Sequence, residues 1–120
     1  ELSTDFTALT MKDGVITSCA IDALQAKVAF DGNGAVTTDL TAPVKTKNEL
    51  GFDYNMVNYG AKYEWFEQAA NFAAYVTGKT PAEVAGIAVT EGKPSEGTDL
   101  IASVTIGITG FQALIAKAAK

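Results

Sequence analysis

Residues 3–22 read STDFTALTMKDGVITSCAID. Two runs rich in Thr, Val, Ile and Phe flank Asp13-Gly14, and such residues suit a pleated, half-buried surface. A two-residue type I′ turn needs positive φ at both central positions, which Asp-Gly supplies at low cost. The stretch therefore predicts an antiparallel hairpin. Phe6, Ala8 and Thr10 fall at period two, which assigns them to one face of the first strand. On the second strand, Val15 to Asp22, Ile16, Ser18 and Ala20 share one face. Val15, Thr17, Cys19 and Ile21 share the other.

Downstream, Val28 and Phe30 sit on one face of a third run, Ala26 to Phe30. Asp31-Gly32-Asn33-Gly34 reads as a second hairpin turn, and Ala35 to Leu40 as a fourth strand. Leu24-Gln25 carries no turn residue, so a bulge or one long bent strand is an equal reading there. The next 18 residues, 41–58, are irregular, with a helical turn expected around Asn48 to Leu50. Long loops in compact domains are often functional.

Two amphipathic helices follow. Tyr63, Phe66, Ala70, Ala73 and Thr77 make one stripe, and Trp65, Ala69, Phe72 and Val76 an adjacent one, so a helix over 59–77 should bury a wide arc. Gly78 suits its left-handed end. Thr80-Pro81-Ala82-Glu83 has the form of a capping box opening a short helix to Ala85, closed at Gly86. A short strand is expected at 87–89 and a loop at 91–98. A final helix over 108–119 presents Phe111, Leu114, Ile115 and Ala118, with Lys117 and Lys120 where cations suit the dipole. The fold class is α+β: an antiparallel sheet of about four strands packed against two main helices, in a single domain over 1–120.

Composition limits the chemistry. The chain has 120 residues, a net charge of −5, no His, and nine cations that are all Lys. Without imidazole there is no histidine-based triad and no His-ligated metal. An acidic chain without Arg or a basic patch is not built for nucleic acid, because phosphate neutralisation supplies most of that affinity. Cys19 is the single cysteine, which excludes an internal disulfide and a thiolate zinc site. No apolar run is long enough to span a bilayer.

Three segments resemble the FMN-binding domain family, which includes the C and G subunits of sodium-pumping and Rnf-type redox complexes. They are the hairpin Met11-Lys12-Asp13-Gly14-Val15-Ile16, the helix Tyr63 to Val76 closed by Gly78-Lys79-Thr80, and Asp99-Leu100-Ile101-Ala102-Ser103-Val104-Thr105 before the last helix. The chain also resembles small clostridial lipoproteins of the major-membrane-immunogen type. The resemblance implies a location outside the cytoplasm or in the cell envelope, a lipid anchor outside this chain, and further native sequence before Glu1. It implies FMN as cofactor, joined through its phosphate to Thr105, and a redox partner protein. Ser103 and Asp99 would flank the attachment point.

Ala102, Ser103 and Val104 stand where the family motif has Ser or Thr, Gly, and Ala. Ser103 lacks glycine's backbone freedom, and Val104 adds a branched side chain beside the acceptor. The residues themselves read more plainly: Ser103, Thr105 and Thr109 are common cap and turn residues. Tyr54 and Tyr59 flank the long loop and are the aromatic ligand candidates. Phe66 and Phe72 read as core, Glu64 and Glu67 as a solvated helix face, and Lys45, Lys47 and Lys62 as solvated lysines. Two functions stay open: an electron carrier bearing FMN, and a flavin-free exported binding or structural module.

Overall fold

A computed structural model describes all of residues 1–120. β1 (Leu2–Lys12) and β2 (Val15–Ala26) pair antiparallel. They are joined at Asp13 (φ 54°) and Gly14 (φ 80°), the two positive values that the tight turn requires. The register slips between Thr10 and Met11, leaving Thr17 as the extra residue on β2. A bulge resets the in–out alternation. Ile16 before it and Ile21 and Ala23 after it are therefore all buried on one face.

That bulge corrects the facing read from the sequence for β2: Ile16 shares its face with Cys19 and Ile21, not with Ser18 and Ala20. Thr7, Leu9 and Met11 turn toward the core, opposite Ile21, Cys19 and Ile16, while Ala8 and Thr10 are exposed and Phe6 is 44% exposed. The four-strand sheet is corrected as well: the chain has two separate antiparallel sheets of two strands each. β2 runs straight through Leu24-Gln25. On its outer edge it meets no strand: Ile16 N–H donates to Lys79 O, Gly78 N–H donates to Ile16 O, and Asn48 Nδ2 donates to Ile21 O. Residues 27–45 are exposed almost throughout, held as a local turn by one Phe30–Val36 bridge and by Asp31, whose Oδ1 accepts from Asn33 and Ala35 N–H.

The irregular segment folds into short turns: α1 (Lys47–Leu50), opened by a reciprocal Thr46–Glu49 cap, then single 3-10 turns at Gly51–Tyr54 and Val57–Tyr59. Gly60, at φ 99°, ends the last one. α2 (Trp65–Val76) therefore starts later than the hydrophobic pattern suggested. α3 (Pro81–Ala85) is short, β3 (Val89–Thr90) and β4 (Lys93–Pro94) form a second tight hairpin at Glu91-Gly92, and α4 (Thr109–Ala118) closes the chain. α2 packs under β2 and α4 under β1, on the same face of the hairpin. Ile16, Ile21, Trp65, Phe72, Leu100, Ile108, Phe111 and Ile115 lie in one core cluster, where Phe111 meets both Trp65 and Phe72 edge-on or tilted.

The capping box at α3 is formed. Thr80 Oγ1 accepts from Glu83 N–H at 3.2 Å, and Glu83 Oε1 accepts from Thr80 N–H at 3.1 Å. The Thr80 N–H, and then its hydroxyl, hold the Glu83 carboxyl below its ordinary pKa. A carboxyl lowered in the folded state contributes stability above its unfolded pKa and loses it as pH falls through the folded value. Thr80→Ala should cost about 1 kcal/mol at neutral pH. Urea melts should show that gap narrowing as Glu83 protonates; a gap within error at neutral pH would mean that the box contributes nothing.

Candidate functional site

Two places gather the sequence candidates, and they are different places. The first is the segment before α4. Thr105 is exposed, four residues ahead of Thr109, the first residue of α4. Its N–H donates to Gln68 Oε1 at 2.8 Å, and Ile106 N–H donates to the same oxygen at 3.2 Å. Thr105 Oγ1 approaches that oxygen at 3.4 Å. Gln68 is 1% exposed, and its Nε2 donates to Tyr63 O at 3.0 Å. Ser103 is half-buried, with its carbonyl accepting from Asn71 Nδ2, and Asp99 is exposed at the start of a 3-10 turn.

A phosphate here would need free backbone donors or a cation. The two adjacent amides are committed to Gln68, and no cavity of the fold is lined by Asp99, Ser103 or Thr105. The residues present therefore do not form a phosphate cradle, although Thr105 is exposed as a residue.

The second place is an open cleft of about 440 Å³ lined by Gln25, Lys27, Tyr54, Asn55, Met56 and Tyr59. β2 brings Gln25 to its end, and the two 3-10 turns carry the tyrosines. Tyr54 Oη donates to Gln25 Oε1 at 3.3 Å. Lys47 Nζ lies 5.1 Å from the Tyr54 ring and 5.1 Å from the Trp65 ring, a cation–π contact on each. Tyr59 is 87% exposed and has no part in the core.

Glu64 fixes this wall. It is 2% exposed, not on a solvated face, because it sits at the turn into α2 with its carboxylate aimed back into the loop. Its Oε2 accepts from Met56 N–H at 2.9 Å and its Oε1 from Val57 N–H at 3.1 Å. Glu67 in turn accepts from Glu64 N–H at 2.8 Å. Charge-assisted bonds of this kind are stronger than neutral ones and hold the backbone on either side of Met56. No protein-family model, curated protein or solved structure matches the chain.

A third hollow, about 300 Å³, lies between β2 and α2 and is lined by Cys19, Ala20, Ile21, Phe66 and three alanines of α2. Burial raises the Cys19 thiol above its ordinary pKa, which keeps it protonated and unreactive.

The sequence reading missed Gln68, Gln25 and Lys27. One signal was available for the first: Glu64 and Gln68 stand four apart within the Trp65, Ala69, Phe72 stripe, and polar residues in a buried stripe need partners. Gln68→Leu strips the partners from Tyr63 O, Thr105 N–H and Ile106 N–H. Each buried backbone group left unpaired costs about 1–3 kcal/mol, so a loss of at least about 2 kcal/mol is expected in urea unfolding. A loss below about 0.5 kcal/mol would mean that water replaces the side chain freely.

Proposed function

We propose that the chain is a binding module of the cell envelope whose cleft takes a planar ring carrying an anionic group. The observation that carries this reading is the convergence of Tyr54, Tyr59, Gln25 and Lys27 on one open cleft. A tyrosine 87% exposed offers a stacking face that the folded core does not use. Lys27 supplies the only cation among the lining residues, and the Gln25 amide a polar anchor. Glu64, by holding Met56 and Val57, keeps the wall in place before a ligand arrives, which lowers the ordering cost of binding.

A second reading is an electron carrier with FMN esterified to Thr105 and a redox partner protein. The exposure of Thr105 and the ordered resemblance to the FMN-binding family support it. Co-expression with a flavin transferase, followed by intact mass, separates the two: added FMN that disappears in Thr105→Ala would favour the carrier.

For the cleft, titration with FMN, riboflavin and phenyl phosphate is the direct test. The anionic ligands should bind more tightly than riboflavin. Tyr59→Ala should weaken FMN by about tenfold, the loss of one stacked ring being worth about 1–3 kcal/mol. Lys27→Gln should reduce the preference for the anion and leave riboflavin unchanged. If none of the three binds, or if Tyr59→Ala has no effect, the cleft is not a ligand site.

A further inference from the structure

β1 has one edge on β2 along its whole length, and nothing on the other. None of the backbone hydrogen bonds made outside the helices and strands involves residues 1–12. The opposite edge of the hairpin is met by Gly78 and Lys79 at Ile16 and by Asn48 at Ile21, whereas β1 is met nowhere. Natural edge strands are blunted by Pro, central Lys, bulges or shortness. β1 is 11 residues long, the extra residue of the bulge lies on β2, and between Leu2 and Met11 there is no Pro and a single charge, Asp5.

The layers are also mismatched in width. α2 and α4 both pack on the same face of the hairpin. Helices packed side by side sit about 8–10 Å apart, whereas two strands are separated by about 4.8 Å. The two-stranded sheet is thus narrower than the pair of helices beneath it, of which α4 lies under β1. Leu2 and Phe6, 67% and 44% exposed, lie on the other face of the same strand.

We propose that two copies of the chain pair through their β1 edges, antiparallel, to form one continuous four-stranded sheet. The charges choose the direction. Glu1 directly precedes β1 and Lys12 ends it. A two-fold axis at Phe6 or Thr7 brings Lys12 of each copy to the Glu1–Leu2 end of the other. It sets Asp5 opposite Thr7 or Leu9, so no two acids meet. Parallel pairing would place like charges together along the strand, which is unfavourable. The two-fold keeps both pairs of helices on one face and extends the sheet over α4, and it places Phe6 beside Phe6 or Ala8 of the other copy on the outer face.

Sedimentation equilibrium across micromolar to sub-millimolar concentrations should give a mass approaching twice the 12.5 kDa of the chain. Amide exchange in β1 should become slower with concentration at every second residue, because only alternate amides face the open edge. The double variant Phe6→Lys/Ala8→Lys changes only exposed side chains and should remain folded and monomeric, since its lysines oppose each other across the axis. Carbodiimide treatment of mixed labelled and unlabelled chains should join Glu1 of one to Lys12 of the other. A monomer at every concentration, a dimer that survives the double variant, or a dimer without alternating protection in β1 would each overturn the proposal. Failure of the Glu1–Lys12 link in an otherwise confirmed dimer would overturn its antiparallel direction.

Discussion

The side chain of Gln68 is the constraint on which the rest of this fold turns. It is buried, it donates to the carbonyl of Tyr63, and its oxygen accepts from the amides of Thr105 and Ile106. One helical turn earlier, the buried Glu64 carboxylate accepts from Met56 and Val57. Two polar groups on one helix thereby hold two irregular segments from distant parts of the chain. Only 17 of 120 residues are buried, so apolar burial alone gives these segments little to pack on. A half-satisfied version of this arrangement would be worse than an apolar one, and every buried side-chain polar atom is in fact paired.

The same bonds shape what each surface can do. Because Gln68 occupies the amides at Thr105 and Ile106, the segment that resembles a flavin-attachment motif has an exposed threonine but no free donors beside it. Because Glu64 holds Met56 and Val57, the turn that presents Tyr59 is positioned next to Gln25 and Lys27. The proposed recognition surface is the cleft that these residues frame. The molecule is also extended: its radius of gyration is 16.4 Å, against about 13–14 Å for a compact chain of this length. The exposed segment carrying Val28, Phe30, Val36, Leu40 and Val44 lies outside the core, and the open strand edge belongs to the same thinly covered hairpin.

Where the sequence was legible, the signal was local. Asp13-Gly14 has the predicted backbone, Thr80 and Glu83 form their box, Asn48 lies in a helical turn, and Phe111 and Ile115 face the core from the last helix. Each depends on residues a few positions apart. What was not legible depended on distant ones. Thr17 becomes a bulge only because of how β2 meets β1, and that one residue puts Ile16 on the same face of β2 as Cys19 and Ile21. The runs at 26–30 and 35–40 have strand-like composition but meet only each other, at the Phe30–Val36 bridge, while β2 is met at Ile16 and Ile21 by Gly78, Lys79 and Asn48 from elsewhere in the chain. Glu64 looked solvated because helix periodicity shows a face and not the loop folded over it. Of the candidate residues, Tyr54 and Tyr59 come together in one cleft, while Asp99, Ser103 and Thr105 line none.

The most direct measurement of this account is residue-resolved amide exchange at Met56, Val57, Thr105 and Ile106. All four lie in irregular or barely regular backbone that would ordinarily exchange quickly. If Glu64 and Gln68 hold these segments as described, the four amides should exchange only through large-scale opening, with protection close to that of the α2 core. Protection no greater than that of the exposed 27–45 segment would contradict it, and would leave both the cleft wall and the occupied amides before α4 without their cause.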